Sequence, residues 1–208
     1  GRPLPDDVLT SLSNALAHRG PDERGELQRG DVGLIHTRLS IVDVAGGKQP
    51  FVFADGSALI ANGEIYNDHD LRREFSEAEF TSDSDCESAL HLYRARGETF
   101  TNGLRGMYAL AIHNPAENKL ILARDPFGIK PLYYAETPAG FFFTSEPQAL
   151  IAAGLVTAAP NTAPRDEILA LQFSTGTQTP FKNIYRVAPG ETLIVQNGCI
   201  ASRHIHPD

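Results

Sequence analysis

The chain reads as an α+β layered domain. Two observations predict this class: strand-like apolar runs succeed one another across tight turns, and helical periodicity is confined to separate blocks. Strands and long helices do not alternate, which excludes a parallel doubly wound sheet. The 208 residues suffice for one large domain or two small ones.

Residues 8–18 place Val8, Leu9, Leu12, Leu16 and Ala17 at a helical period, with Pro5-Asp6 as the start and His18-Arg19-Gly20-Pro21-Asp22 as the closing turn. Residues 32–36 and 38–42 read as strand. The apolar run 58–61 is the next strand, and it is expected to break at Asn62-Gly63, a dipeptide that tolerates positive φ. Residues 67–75 start a helix with Leu71 and Phe75 apolar. A second helix covers 84–96, with Asp85 in its first turn and Ala89, Leu92 and Tyr93 inward.

The second half is strand-rich. Residues 106–113 and 119–124 form a hairpin across Asn114-Pro115, and 132–135 pairs with 140–144 across Thr137-Pro138-Ala139. A short helix covers 146–153, and small residues make 158–164 a loop. Residues 193–195 and 199–202 flank Gln196-Asn197-Gly198, the strongest short hairpin signal in the chain.

Composition narrows the function. Apolar residues make up 41% and charged residues 21%, as in ordinary globular proteins. The net charge of -8, with no basic run longer than a pair such as Arg72-Arg73, argues against a nucleic-acid partner. No apolar run reaches the length of a membrane span, and the polar, proline-rich residues 1–7 do not form a signal peptide. Two cysteines, Cys86 and Cys199, are too few for a disulfide framework, which fits the cytoplasm. The seven histidines show no metal-ligand spacing. Gly47-Lys48 lacks the strand and glycine spacing of a phosphate-binding loop.

Asn62-Gly63 carries the chemical signal. A turn there presents an amide side chain beside a bare backbone N–H, and two convergent neutral donors suit an oxyanion hole. Alone, the dipeptide reads as a hairpin turn. Its company includes His18-Arg19-Gly20-Pro21-Asp22, Arg38-Leu39-Ser40-Ile41-Val42-Asp43 with Gln49-Pro50 behind it, and Asn62-Gly63-Glu64-Ile65-Tyr66-Asn67. Downstream stand Ser84-Asp85-Cys86-Glu87 and Arg124-Asp125-Pro126-Phe127-Gly128-Ile129-Lys130-Pro131-Leu132-Tyr133-Tyr134. In this order the segments closely resemble the glutaminase domain of glutamine-hydrolysing asparagine synthetases, a class II glutamine amidotransferase domain. The resemblance covers essentially the whole chain. Glucosamine-phosphate synthases, phosphoribosyl-pyrophosphate amidotransferases and glutamate synthases share the oxyanion logic, but do not look like the segments that start at Arg38 and Asn62.

The resemblance implies an N-terminal nucleophile fold, a four-layer αββα sandwich of two antiparallel sheets. It also implies roles. Asn62 (side chain) and Gly63 (backbone N–H) form the oxyanion hole. Arg38 binds the α-carboxylate of glutamine, a match for the guanidinium fork; by itself it reads sooner as a surface ion pair. Asp85 binds the α-ammonium group, and its place near a helix start also complements the macrodipole. Glu64 joins the clamp, largely through its backbone, and Leu39, Ser40, Ile41 and Val42 line the pocket. Segments 18–22 and 124–134 read as structural, and Cys86 as a small buried hydrophobe.

In the resembled family the nucleophile is an N-terminal cysteine whose own α-amino group acts as the base. This chain starts Gly1-Arg2-Pro3, its first helix has no strand before it, and neither Cys86 nor Cys199 can take that part. The expectation is a glutaminase domain spanning 1–208 that lacks its first strand with the cysteine, lacks the C-terminal synthetase domain, and is inactive as it stands. The resemblance implies no cofactor in this domain, with ATP and magnesium in the synthetase domain. Its implied partners are glutamine and that second domain, with a homodimer left open. In the asparagine synthetases the ammonia goes to β-aspartyl-adenylate. Two rivals stand beside this reading: a naturally non-catalytic domain as in the β-lactam synthetases, and a glutamine-binding interaction module.

Overall fold

Alternating and helical segments sort into four layers in the computed structural model, which describes residues 3–40, 43 and 46–205. The first layer from the N-terminus holds α1 (Asp6–Leu16) and α4 (Pro147–Ala152). Beneath it lie two antiparallel ladders. One joins β1 (Glu23–Arg29) to β2 (Val32–Arg38); the other runs β8 (Gly140–Thr144), β7 (Tyr133–Thr137), β9 (Tyr185–Arg186). The third layer is a six-stranded antiparallel sheet. Its members are β3 (Phe51–Val52), β4 (Ala58–Ile65), β5 (Gly106–Asn114), β6 (Lys119–Arg124), β10 (Glu191–Gln196) and β11 (Cys199–Ile205), in the order β11-β10-β6-β5-β4-β3. The last layer holds α2 (Asp68–Glu74) and α3 (Glu87–Arg96).

Side-chain alternation assigns the faces. On β4, Leu59, Ala61 and Ile65 pack with Ala89, Leu92 and Tyr93 of α3, while Ala58 and Ile60 turn to Leu34 of β2 and Tyr134 of β7. A third cluster joins Ala135 and Phe142 of β7 and β8 to Leu4, Leu12 and Leu150 around α1 and α4. The expected layers are therefore present. The second sheet, expected to be one, is built from two ladders that do not hydrogen-bond to each other among the described residues. No helix among them is long and apolar enough to cross a membrane.

The hairpins stand where expected: β5–β6, β7–β8 and β10–β11 pair antiparallel, with Asn197 at φ 53 and Gly198 at φ 74 in the last turn. Other expectations need correction. Asn62-Gly63 makes no turn; both residues lie inside β4, paired with Ala109 and Tyr108. Gly63 is needed for close approach instead, since a Cβ there would lie 2.3 Å from Met107 O. Strand structure ends at Arg38 rather than running through 38–42. Asp22 ends it, because its N–H donates to Arg38 O (3.1 Å) and its Oδ2 accepts from Ser40 N (2.8 Å). Ile41 and Val42 lie outside the described residues.

The helix expected over 84–96 begins at Glu87. Asp85 sits in a preceding turn closed by the bonds Glu87 N–Ser84 O and Ser88 N–Asp85 O, both 3.3 Å. Four elements were not expected: the two-residue strands β3 and β9, together with β1 and α5. Strand β1, Glu-Arg-Gly-Glu-Leu-Gln-Arg, offers only Leu27 as an apolar marker and forms through its ladder with β2. Helix α5 (Thr162–Leu171) starts inside the segment read as a loop and buries only Pro164.

Candidate active site

A cavity of about 870 Å³ lies between the two ladders of the second layer, walled by Ile35 and Thr37 of β2 and by Phe141 and Phe143 of β8. Arg38, Leu39, Gln49, Asn62, Gly63, Asp85 and Lys130 line it. Of the nine residues the sequence nominated, five therefore meet at one cavity: Arg38, Leu39, Asn62, Gly63 and Asp85. Ser40 and Glu64 do not line it, and Ile41 and Val42 are outside the described residues.

The backbone of β4 decides what Asn62-Gly63 offers. In a strand, the peptide groups of successive residues point to opposite edges. Ala61 N donates to Gln49 Oε1 (2.6 Å) and Ile65 N to Asp85 Oδ2 (2.5 Å), so both point away from β5. Gly63, midway between them, must point to the same edge. Its carbonyl does so, accepting from Cys86 Sγ at 3.7 Å. Its N–H has no partner among the described residues, and neither has the Asn62 side chain, which faces the cavity from the inter-sheet side like Ile60. Two neutral donors thus adjoin the cavity in a strand held at both ends. The backbone of Glu64 points the other way, to Met107 of β5, and is not available to the cavity.

Arg38 is buried at the end of β2. Its Nη1 donates to Glu23 Oε2 (3.1 Å) and its Nη2 to Asp43 O (2.6 Å). Asp43 in turn accepts from Asp83 N through Oδ2 (2.9 Å), tying the Arg38 loop to the segment that carries Asp85. That segment is anchored by Glu87, which is fully buried and accepts from the backbone and hydroxyl groups of both Thr81 and Ser82 (2.6–2.9 Å). Burial pushes the Glu87 carboxyl up. His91, Ser82 and Thr81 outweigh that and hold it down to about 2.

Segments 18–22 and 124–134, expected to be structural, make many fixed contacts, and Arg19, Lys130 and Leu132 from them also line the cavity. His18 Nε2 and Arg19 Nη1 reach Glu146 Oε1 (3.0 and 2.9 Å), while Arg124 donates to the carbonyls of Gly128, Lys130 and Val187. Asp125 is fully buried and accepts from the N–H groups of Tyr108, Phe127, Ile129 and Lys130. This loop carries Lys130 to the cavity wall. Neither Lys130 nor Gln49 was nominated by sequence. Both stand in segments that carry the resemblance, but no periodicity marks either as a cavity residue.

Neither thiol serves the two donors. Burial, then the Asp85 carboxylate, pushes the Cys86 thiol up, and its Sγ faces the Gly63 carbonyl. Cys199 is exposed on β11, four strands from β4, about 19 Å away at ~4.8 Å per strand. No group of three His, Cys, Asp or Glu side chains that could hold a metal is present among the described residues.

Comparison with known proteins gives a consistent result. A glutamine amidotransferase domain family matches residues 2–205. The chain is 40% identical over 144 residues to the glutamine-hydrolysing asparagine synthetase 2 of Bacillus subtilis, covering 69% of this chain and 19% of that protein. It is 37% identical over 192 residues to amidase chyE of Penicillium rubens, covering 90% of this chain and 28% of that protein. The chain thus spans less than a third of these relatives' lengths. Among solved structures, the glutamine phosphoribosylpyrophosphate amidotransferase of Bacillus subtilis superposes with a TM-score of 0.70 at 21% identity. That match covers 99% of this chain and 47% of the other, and it shows a shared fold.

Proposed function

Since the chain belongs to the glutamine amidotransferase domain family, we propose that its cavity binds glutamine and hydrolyses the side-chain amide, releasing ammonia for a synthetase domain of the same polypeptide. The observation that carries this reading is the unpaired Gly63 N–H beside Asn62 on the β4 edge, in a cavity also lined by the buried Arg38 guanidinium and the Asp85 carboxylate. Arg38 pairs with the α-carboxylate of glutamine and Asp85 Oδ1 with its α-ammonium group, which leaves the amide carbonyl to the two donors. Leu39 forms part of the wall. The attacking thiol belongs to an extended segment ahead of Gly1, seated in the cavity between β2 and β8, with its α-amino group as base. The products are glutamate and ammonia, through a γ-glutamyl thioester. Adenylated aspartate is the acceptor that the asparagine synthetase relatives favour, with ATP and magnesium bound outside these residues.

Calorimetry with L-glutamine on the 208-residue chain tests the clamp. Weak binding is expected, and Arg38→Ala or Asp85→Ala should abolish it. Unchanged binding in both variants removes the assignment.

A further inference from the structure

We infer that Gln49 is a positioning residue for the oxyanion hole, an inference that rests on the glutaminase reading. Strand β3 pairs with β4 only at Phe51–Leu59 and Val52–Ala58, so β4 has no strand neighbour on that edge from Ala61 onward. Gln49, two residues before β3, supplies its side chain in place of a strand. Oε1 accepts from Ala61 N (2.6 Å) and Nε2 donates to Ala61 O (3.2 Å). A carboxamide presents the same donor and acceptor as a peptide, so this contact extends the ladder by one residue.

His36 strengthens the clamp. Its Nε2 lies 3.0 Å from the same carbonyl, which can only accept, so the proton sits on Nε2. Burial lowers its pKa, against the opposing pull of that hydrogen bond. Gln49 is itself fixed by a close backbone approach: a Cβ on Gly25 would lie 1.6 Å from Gln49 O. With Asp85 holding Ile65, the segment from Asn62 to Glu64 is suspended between two side-chain clamps. Gln49 therefore sets the tilt of the peptide groups that aim Asn62 and Gly63, with both polar atoms of its amide engaged by Ala61.

An oxyanion donor acts mainly in the transition state, so misaiming it lowers kcat while KM stays. The test uses the full-length polypeptide and glutamine hydrolysis. Gln49→Leu, similar in size but without hydrogen bonds, should lower kcat about 10- to 100-fold, less than the ~100- to 1,000-fold for loss of a donor. Its KM for glutamine should move less than about two-fold. Gln49→Glu keeps the acceptor for Ala61 N and should recover part of kcat at unchanged KM. If Gln49→Leu does not fold, Gln49→Glu carries the test through an intermediate kcat. A raised KM at unchanged kcat, or unchanged kcat in every folded variant, overturns the inference. Wild-type protein that does not hydrolyse glutamine overturns the functional reading and this inference with it.

Discussion

Asp85 Oδ2 accepts the backbone N–H of Ile65 at 2.5 Å, joining residues twenty positions apart. One oxygen of this carboxylate shapes β4, while Oδ1 takes no hydrogen bond among the described residues. The residue proposed to recognise the ammonium group of glutamine thus also holds the far end of the strand segment that carries Asn62 and Gly63.

The two duties separate in Asp85→Asn. The amide oxygen can still accept from Ile65 N, so the melting temperature should barely move. The lost charge removes a charge-assisted bond of about 1.5–3 kcal/mol, so glutamine affinity should fall roughly 10- to 150-fold. Calorimetry beside a thermal melt checks both, and a large fall in melting temperature would contradict the division of labour.

Gly63→Ala should act through packing rather than chemistry. Its Cβ would lie 2.3 Å from Met107 O and 2.7 Å from Tyr108 Cα, which forces β4 and β5 apart. A loss of about 1–3 kcal/mol in urea unfolding is expected. Full stability would show that the strands do not approach as closely as described.

Glu87 makes stability depend on acid. Its carboxyl titrates at about 2, below the ordinary 4.5, so its contribution is complete above the ordinary value and lost as pH falls through the folded one. The amount at stake is on the order of 3 kcal/mol. Unfolding free energies of wild type and Glu87→Gln, followed by circular dichroism from pH 5 to pH 2, should converge toward the acid end. Parallel curves would exclude this role.

The two thiols should differ sharply. Iodoacetamide should label exposed Cys199 in the native chain and buried Cys86 only after unfolding, as read by peptide mass spectrometry. Alkylation of native Cys86 would break the packing described here. With the Cys86 thiol buried against the Gly63 carbonyl and Cys199 four strands away, the 208-residue chain alone should release no ammonia from glutamine.

Local signals and long-range pairing divide what the sequence discloses. Asn197-Gly198 forms the turn it advertises because nothing opposes it, whereas Asn62-Gly63, the same dipeptide, is held extended by β5. The two residues were thus legible in the sequence, but not their conformation. The resemblance nominated Arg38 and Asp85 together, and both line the one cavity. Gln49 and Lys130 reach the same cavity without any periodic mark. Strand β1 carries too little apolar character to show itself, and α5 buries too little surface to leave a pattern.

The edge of β4 beyond Ala61 has one more consequence. A strand with free peptide groups is a template on which other chains can assemble, and proteins usually guard such edges with charge or a covering segment. Here the amide of Gln49 and the carboxylate of Asp85 occupy the outward N–H groups on either side of Gly63, leaving an opening one residue wide. A single amide can receive a small carbonyl compound but cannot seed a ladder. Access to the Gly63 N–H and resistance to aggregation are met by the same two side chains, so variants that loosen them should also make the protein stick to itself.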